Sequence, residues 1–479
     1  MPGAVAKYFS EFKVLKRVSR DFWLANAIQF FDCMAYFSMI NVLTLYLTAN
    51  CGFSDVDSGA WVGIYTLYVT AFMFAVGPIC DVVGIKKAFF MGIGLLAVSR
   101  LGLGVVPAMI HGTPLVWTVK SFIILLSLGT AFMSPVSMTA LRRFTSAETR
   151  ATGFNIYYLI INVAAIVAGF AVTDGARYLL GEVHGNLAIF GFGFAMSAAS
   201  LLCTMALNEN NYADENERIT HEQTRRPIAI FMEVWKEAPF RKLFLFLLLT
   251  IGVRLVFTHQ FLVMPKYYTR VLYTDFALGA ANSINPCIIV IGLILLIPVI
   301  KRFSTLKLIV IGMGISASSL FIMAAPSSWI LALPGIHSVN AAYKFVIVAQ
   351  IVVFAVGELL FSPRFTEYVA SAAPKDKVSS YMALSALPTF IAKPINGFVS
   401  GLLISRLCYE GIRAKIDTGN ISYTHSPEFM WMIYLLPALL SPIAVLAFRK
   451  AIIHTPEAGP IAPTVPEEDP AEIAPGEPA

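Results

Sequence analysis

A helix that crosses a bilayer needs about 20 consecutive apolar residues, and this chain holds twelve stretches that meet that requirement. They cover residues 22–48, 58–80, 88–108, 114–140, 151–173, 186–207, 240–264, 275–300, 307–325, 342–370, 378–404 and 428–448. Hydrocarbon offers the backbone no hydrogen-bond partners, so runs of this length are read as helices. A transmembrane barrel would show short alternating segments instead. Hydrophobic residues make up 57% of the 479 and charged residues 13%, which leaves too little polar surface to clothe a soluble domain of this size. The expectation is an all-α membrane protein with 12 transmembrane helices.

The charges between the runs set its orientation. With the N-terminus inside, the segments on that side hold 23 Lys and Arg, and the opposite segments hold 6. Basic residues concentrate on the cytoplasmic side, so both termini are expected there, in a plasma membrane or a bacterial inner membrane. Lys7, Lys13, Lys16, Arg17 and Arg20 precede any apolar run, which reads as a cytosolic lead-in rather than a cleaved signal. The net charge of +6 is thus a topology signal and implies no nucleic-acid partner.

The longest internal polar stretch separates six runs from six. The expected domains are an N-terminal six-helix bundle over 1–207, a cytosolic linker over 208–238, a C-terminal six-helix bundle over 239–450, and a disordered Pro-rich acidic tail over 451–479. Two bundles around a central site are a recurrent transporter plan. Cys51 and Cys408 fall on one side of the membrane, which leaves a disulfide open between them.

Ionisable residues near the middle of an apolar run are costly and point to function. Five stand out: Asp32, Arg100, Arg254, Glu358 and Lys393, with His259 soon after Arg254. Burial favours the neutral form of a carboxylate and a nearby cation opposes it, so Glu358 and Asp32 are the proton-coupling candidates. The competing reading of Asp32 is a structural acid paired with Arg100. Arg254, Lys393 and His259 are substrate-binding candidates. The five charges sum to +1, and an unpaired buried cation is costly. A substrate bearing a carboxylate or another anion would offset it. Asn155, Asn162, Asn282 and Asn285 are amides within runs, suited to bonding a substrate or a neighbouring helix. Asn285-Pro286 is expected to break the eighth run.

Motifs narrow the class. Gly77-Pro78-Ile79-Cys80-Asp81-Val82-Val83-Gly84-Ile85-Lys86-Lys87 joins the second and third runs on the inside. It resembles the loop motif of the major facilitator superfamily, in which Gly77, Asp81, Gly84 and Lys86 would take gating positions. Leu128-Gly129-Thr130 through Pro135, Tyr157-Tyr158-Leu159-Ile160-Ile161-Asn162, and Gly357-Glu358-Leu359-Leu360-Phe361-Ser362-Pro363 are similar to spans four, five and ten of the proton-dependent oligopeptide transporters. Tyr36-Phe37 and Leu45-Tyr46-Leu47 match the end of that family's first-span signature. The resemblance implies a major facilitator fold and a substrate-binding role for Tyr36, Tyr158 and Asn162. It also implies that Glu358 meets a peptide amino group. The family's two glutamates and arginine in span one are replaced here at Gln29, Asp32 and Cys33, and its span-four lysine corresponds to Ser134.

No Gly-x-x-x-x-Gly-Lys-Ser/Thr loop indicates an ATP-driven pump, no His/Cys spacing suggests a metal, and no cofactor or enzyme activity is expected. The reading is a secondary active transporter working by alternating access, with protons, a small polar solute and the lipid bilayer as its partners. An oligopeptide or peptide-like solute with proton coupling comes first. An uncoupled facilitator or exchanger of organic anions on the same scaffold is the alternative, and a non-transporting receptor or sensor is the alternative of a different class.

Overall fold

The computed structural model describes residues 18–211, 213, 238–272, 277–300, 303–372 and 387–452. The lead-in before residue 18, nearly all of the expected linker and the tail beyond residue 452 lie outside the described residues. What is described is helical, with no strand.

Helix α1 spans Arg20–Ala49 and begins at Ser19, whose hydroxyl accepts the Phe22 N–H at 3.4 Å. Helix α2, Asp55–Val83, begins in the same way at Ser54, whose hydroxyl accepts the Asp57 N–H at 3.0 Å. Such side-chain caps satisfy a donor that a helix start leaves open. Gly84 alone separates α2 from α3, Ile85–Met109, and turns the chain with φ at 87°, a conformation that costs other residues energy. Helix α4 spans Thr113–Arg143, and α5 spans Ala147–Val167 and continues through a π-helical turn at Ala168–Thr173. Helix α6, Asp174–Ala206, is broken at Gly181.

The seventh run is split into α7, Ala238–Leu249, α8, Ile251–Leu262, and α9, Met264–Val271. Then follow α10 at Leu278–Ile300, α11 at Thr305–Ala324, the short α12 at Ser327–Leu331, and α13 at Val339–Ala372. The last are α14 at Leu387–Leu407, α15 at Ile412–Asp417, α16 at Pro427–Ala447 and α17 at Arg449–Ile452. Helix α10 runs through Asn285-Pro286 without the expected break. A proline removes one donor, and packed neighbours make that tolerable inside a bundle.

Eight helical stretches among the described residues are long and apolar enough to cross a membrane, and one of them, 59 residues long, carries the fifth and sixth expected runs end to end. The second, seventh and eighth runs are also helical. The seventh is interrupted at Thr250, and the eighth is apolar from Leu278 to Gly292.

Helices before residue 207 pack mainly on one another, α1 against α6 and α3 against both α4 and α6. In the second half α11 packs against α13 and α16, and α8 against α14 and α16. Two seams join the halves. In one, α2 meets α14 so closely that a Cβ on Gly59 would stand 2.7 Å from the Gly401 Cα. In the other, the α5 turn meets α10 at Gly169 and Gly279, where an added Cβ on either would strike the other's backbone. Small residues permit this approach between apolar helices. Cys51 and Cys408 are both buried and both free, so the disulfide is not formed.

Candidate functional site

The two midspan charges of the first half meet each other. An Arg100 terminal nitrogen donates to Asp32 Oδ1 at 2.8 Å, and its other terminal nitrogen donates to Ser197 Oγ at 2.7 Å. Both residues are buried. The pair ties α1, α3 and α6 together, which is the structural reading of Asp32. Beside it, Ser137 Oγ of α4 donates to Gln29 Oε1 at 2.7 Å, and Gln29 Nε2 donates to Cys33 Sγ at 3.0 Å. A neutral contact therefore joins α1 to α4, through Ser137 rather than Ser134. Tyr36 is half-buried nearby and within electrostatic reach of Tyr65, whose hydroxyl shares a hydrogen bond of 3.1 Å with Thr130 Oγ1.

The second half keeps its midspan charges apart. Asn285 Nδ2 of α10 donates to Glu358 Oε2 of α13 at 2.9 Å. Glu358 is near enough to Arg254 and to Tyr158 of α5 for its charge to act on both, and Tyr158 is exposed. The Arg254 guanidinium lies 5.1, 4.7 and 4.6 Å from the ring centres of Phe257, Phe361 and Phe365. Such stacking holds a cation without neutralising it. Arg254 Nε is buried without a hydrogen-bond partner. Arg254 and Lys393 are half-buried, and neither makes an ion pair among the described residues. Since Asp32 and Arg100 cancel, the surplus positive charge of the midspan set belongs to the second half.

Two candidates sit elsewhere. His259 is not with Arg254 and Glu358. Five residues advance about 140° around a helix, so its ring turns into the second half, against Trp431 at 5.4 Å and Tyr434 at 4.2 Å. Asn162 Nδ2 donates to the Tyr158 carbonyl of its own helix at 2.9 Å.

The α2–α14 seam ends in a charge cluster that the sequence pattern did not single out. Lys266 Nζ donates to Asp55 Oδ1 at 2.8 Å and also to Ser58 Oγ, while Arg270 grips both Asp55 oxygens at 2.8 and 2.7 Å. Arg270 also donates to the Cys408 carbonyl at 2.9 Å. One carboxylate at the start of α2 thereby holds two cations of α9. Burial works to raise the Asp55 pKa, but the Arg270 and Lys266 contacts prevail and hold it below the usual carboxylate value. Burial lowers Lys266 to about 8, against the pull of Asp55. At the other seam, the Gly279 and Ala280 N–H groups donate to Asp174, each at 2.6 Å, which caps the start of α10 with a carboxylate.

The family model of the Major Facilitator Superfamily matches residues 25–406. The chain belongs to the major facilitator superfamily. This facilitator is therefore an integral membrane transporter and not an enzyme. Its fold is similar to that of solved POT family transporters. One, in complex with 5-aminolevulinic acid, has a TM-score of 0.69 at 16% identity over 91% of this chain and 97% of that one. Another, in complex with a thioalcohol conjugated peptide, gives the same values. A peptide transporter POT in complex with sulfate has a TM-score of 0.68 at 16% identity over 90% and 95% of the two chains. No curated protein matches the facilitator in sequence.

The loop motif of this facilitator closes on the end of α6. Gly77 and Asp81 lie in the last turns of α2, and their side chains are outside the described set. The Lys86 N–H donates to Glu209 Oε2 at 2.9 Å, and Lys86 Nζ donates to the Met205 carbonyl at 2.8 Å. Glu209 thus caps the start of α3, and a Cβ on Gly84 would stand 2.8 Å from its carboxylate. Asp21 accepts from the Asn208 N–H at 2.7 Å and from Asn211 Nδ2 at 2.8 Å. Lys86 therefore works here as a clamp on α6.

Proposed function

We propose that this facilitator moves a small peptide-like solute together with protons, by alternating access between two six-helix halves. In this reading twelve spans form bundles over 1–207 and 239–450, both termini are cytoplasmic, and the seams of α2 with α14 and of α5 with α10 close the outer end. The observation that carries it is Glu358, a midspan acid whose one hydrogen bond among the described residues is to the Asn285 amide, with the Arg254 cation near but without an ion pair to it. Such an acid can trade a proton for an ion pair when the halves move. Asp32, fixed by Arg100, is the weaker proton candidate. The surplus cation of Arg254 and Lys393 favours a solute with a carboxylate, and the POT family relatives hold 5-aminolevulinic acid and a peptide conjugate. Uptake of di- and tripeptides into proteoliposomes under an imposed pH gradient tests the proposal. Gradient-driven uptake that Glu358→Gln removes is the expected result; uptake indifferent to both the gradient and the variant refutes the coupling.

A second reading keeps the scaffold without the coupling, as a facilitator or exchanger of organic anions. The neutral Gln29–Ser137 contact between α1 and α4 favours it, because the resemblance places coupling charges on those two helices. Counterflow that persists with no ion gradient would support it.

A further inference from the structure

Four buried side chains form one hydrogen-bonded chain across the two halves. Gln260 Nε2 of α8 donates to Asn282 Oδ1 of α10 at 3.1 Å. Asn282 Nδ2 donates to Asn41 Oδ1 of α1 at 2.9 Å. Asn41 Nδ2 donates to Thr173 Oγ1 at 3.5 Å, and Thr173 Oγ1 donates to the Ala168 carbonyl at 2.9 Å, within the π-turn after α5. All four residues are buried. Only the Asn282–Asn41 bond passes from one half to the other.

The direction of this chain is determined at one end. The Thr173 hydroxyl has one proton, which it gives to Ala168, so it must accept from Asn41. Asn41 then presents its Nδ2 to Thr173 and its oxygen to Asn282. The same constraint passes to Asn282, which must turn its oxygen to Gln260, and Gln260 must donate. Reversing any one amide sets two oxygens or two NH2 groups face to face. Aligned bonds of this kind reinforce one another.

We infer that Gln260, Asn282, Asn41 and Thr173 form a directional latch that holds the two halves together at the α1–α8–α10 crossing and parts at the single Asn282–Asn41 bond. This rests on the reading that the halves move apart. The surrounding helices carry Tyr36 on α1, His259 on α8, Lys266 on α9, Glu358 on α13, Lys393 on α14 and Asp174 at the start of α6. None of them hydrogen-bonds a member of the latch.

The test uses the full chain in proteoliposomes, its native cysteines replaced, with spin labels at the exposed positions Asp57 and Glu410 on opposite halves. The distance between them reports the closed and open populations. Asn41→Ala and Asn282→Ala should each lower the closed-to-open ratio about fivefold, the weight of one buried hydrogen bond, and the double variant should lower it little further. Gln260→Glu tests the direction. A protonated acid can still donate to Asn282, but a carboxylate cannot, so closure should weaken, relative to the unaltered protein at each pH, as pH rises from 5 to 9. A chain running the other way would tighten over the same range, and that result overturns the inference. Gln260→Leu should weaken closure by the same factor, relative to the unaltered protein, at every pH. Two label distances in the unaltered protein that none of these variants shifts would refute the latch and leave the moving halves standing. A single distance under all conditions would refute the movement itself.

Discussion

Asp55 and Arg270 bind each other through two parallel hydrogen bonds, 2.8 and 2.7 Å, although 215 residues separate them in the chain. With Lys266 on the same carboxylate, they join the first half of the protein to the second at one end of the bundle. Paired charges buried this far resist the loss of one member more than exposed pairs do.

Asp55→Asn should therefore open this end by leaving the buried Lys266 and the half-buried Arg270 without their anion. The label distance between Asp57 and Glu410 should shift toward a longer population. Arg270→Lys should produce a smaller shift in the same direction, because an ammonium cannot reproduce the two-pronged contact. Unchanged distances in both variants would show that the glycine seam alone keeps this end closed.

The same cluster should respond to pH with a definite sign. Asp55 is held below its usual value, so its contribution to closure is complete above about pH 4 and is lost as pH falls through the lowered value. Lys266 lies at about 8 when closed, against about 10.4 for a free lysine. Closure releases a proton between those values, so rising pH through that window favours closure. The closed population should be level near neutral pH and rise above pH 8. Lys266→Met should abolish the alkaline rise and leave the loss at low pH in place.

The Asp32–Arg100 pair should prove structural. Arg100→Leu leaves a buried carboxylate and should cost about 3–5 kcal/mol, read as a fall in thermal stability in detergent. Asp32→Asn together with Arg100→Leu should recover most of that loss. Gradient-driven uptake surviving in the double variant would place the coupling at Glu358; its disappearance there, with stability restored, would return Asp32 to the proton path.

Gly401→Val should trap the facilitator open at the α2–α14 seam. A Cβ on Gly401 would stand 2.8 Å from the Asp55 carbonyl oxygen and 2.9 Å from that of Val56, a distance no side chain tolerates. Folding should be spared, since the clash arises only when the halves meet. The measurements are retained stability, a label distance fixed at its longer value, and loss of uptake.

The length of the apolar runs was enough to locate the long helices among the described residues, because membrane helices must be long and apolar whatever they pack against. It could not locate the break at Thr250, inside the seventh run, which depends on local contacts, whereas the break at Gly181 falls between the expected fifth and sixth runs. Asp32 and Arg100 are the only charges near midspan in the first half, so their pairing was among the readings open to the sequence. The Asp55 cluster was not, because loop cations such as Lys266 and Arg270 read as topology marks until the fold brings α9 to the start of α2. Asn282 stands out as an amide in an apolar run, but nothing along the chain announces Asn41, Gln260 and Thr173 as its partners. His259 shows the limit of proximity in sequence: a few residues along a helix can turn a side chain to a different neighbour.

Gly84 gives α2 a mechanical role. The helix spans 29 residues, about 43 Å at the usual rise, with Gly84 at one end beside the Glu209 clamp and Asp55 at the other. A rod of that length tilting by about 5° about Gly84 carries Asp55 about 4 Å, more than the length of the bonds it makes to Lys266 and Arg270. A small angular change at the pinned end thus becomes an all-or-none event at the free end, and the charge cluster acts as a catch on a long lever.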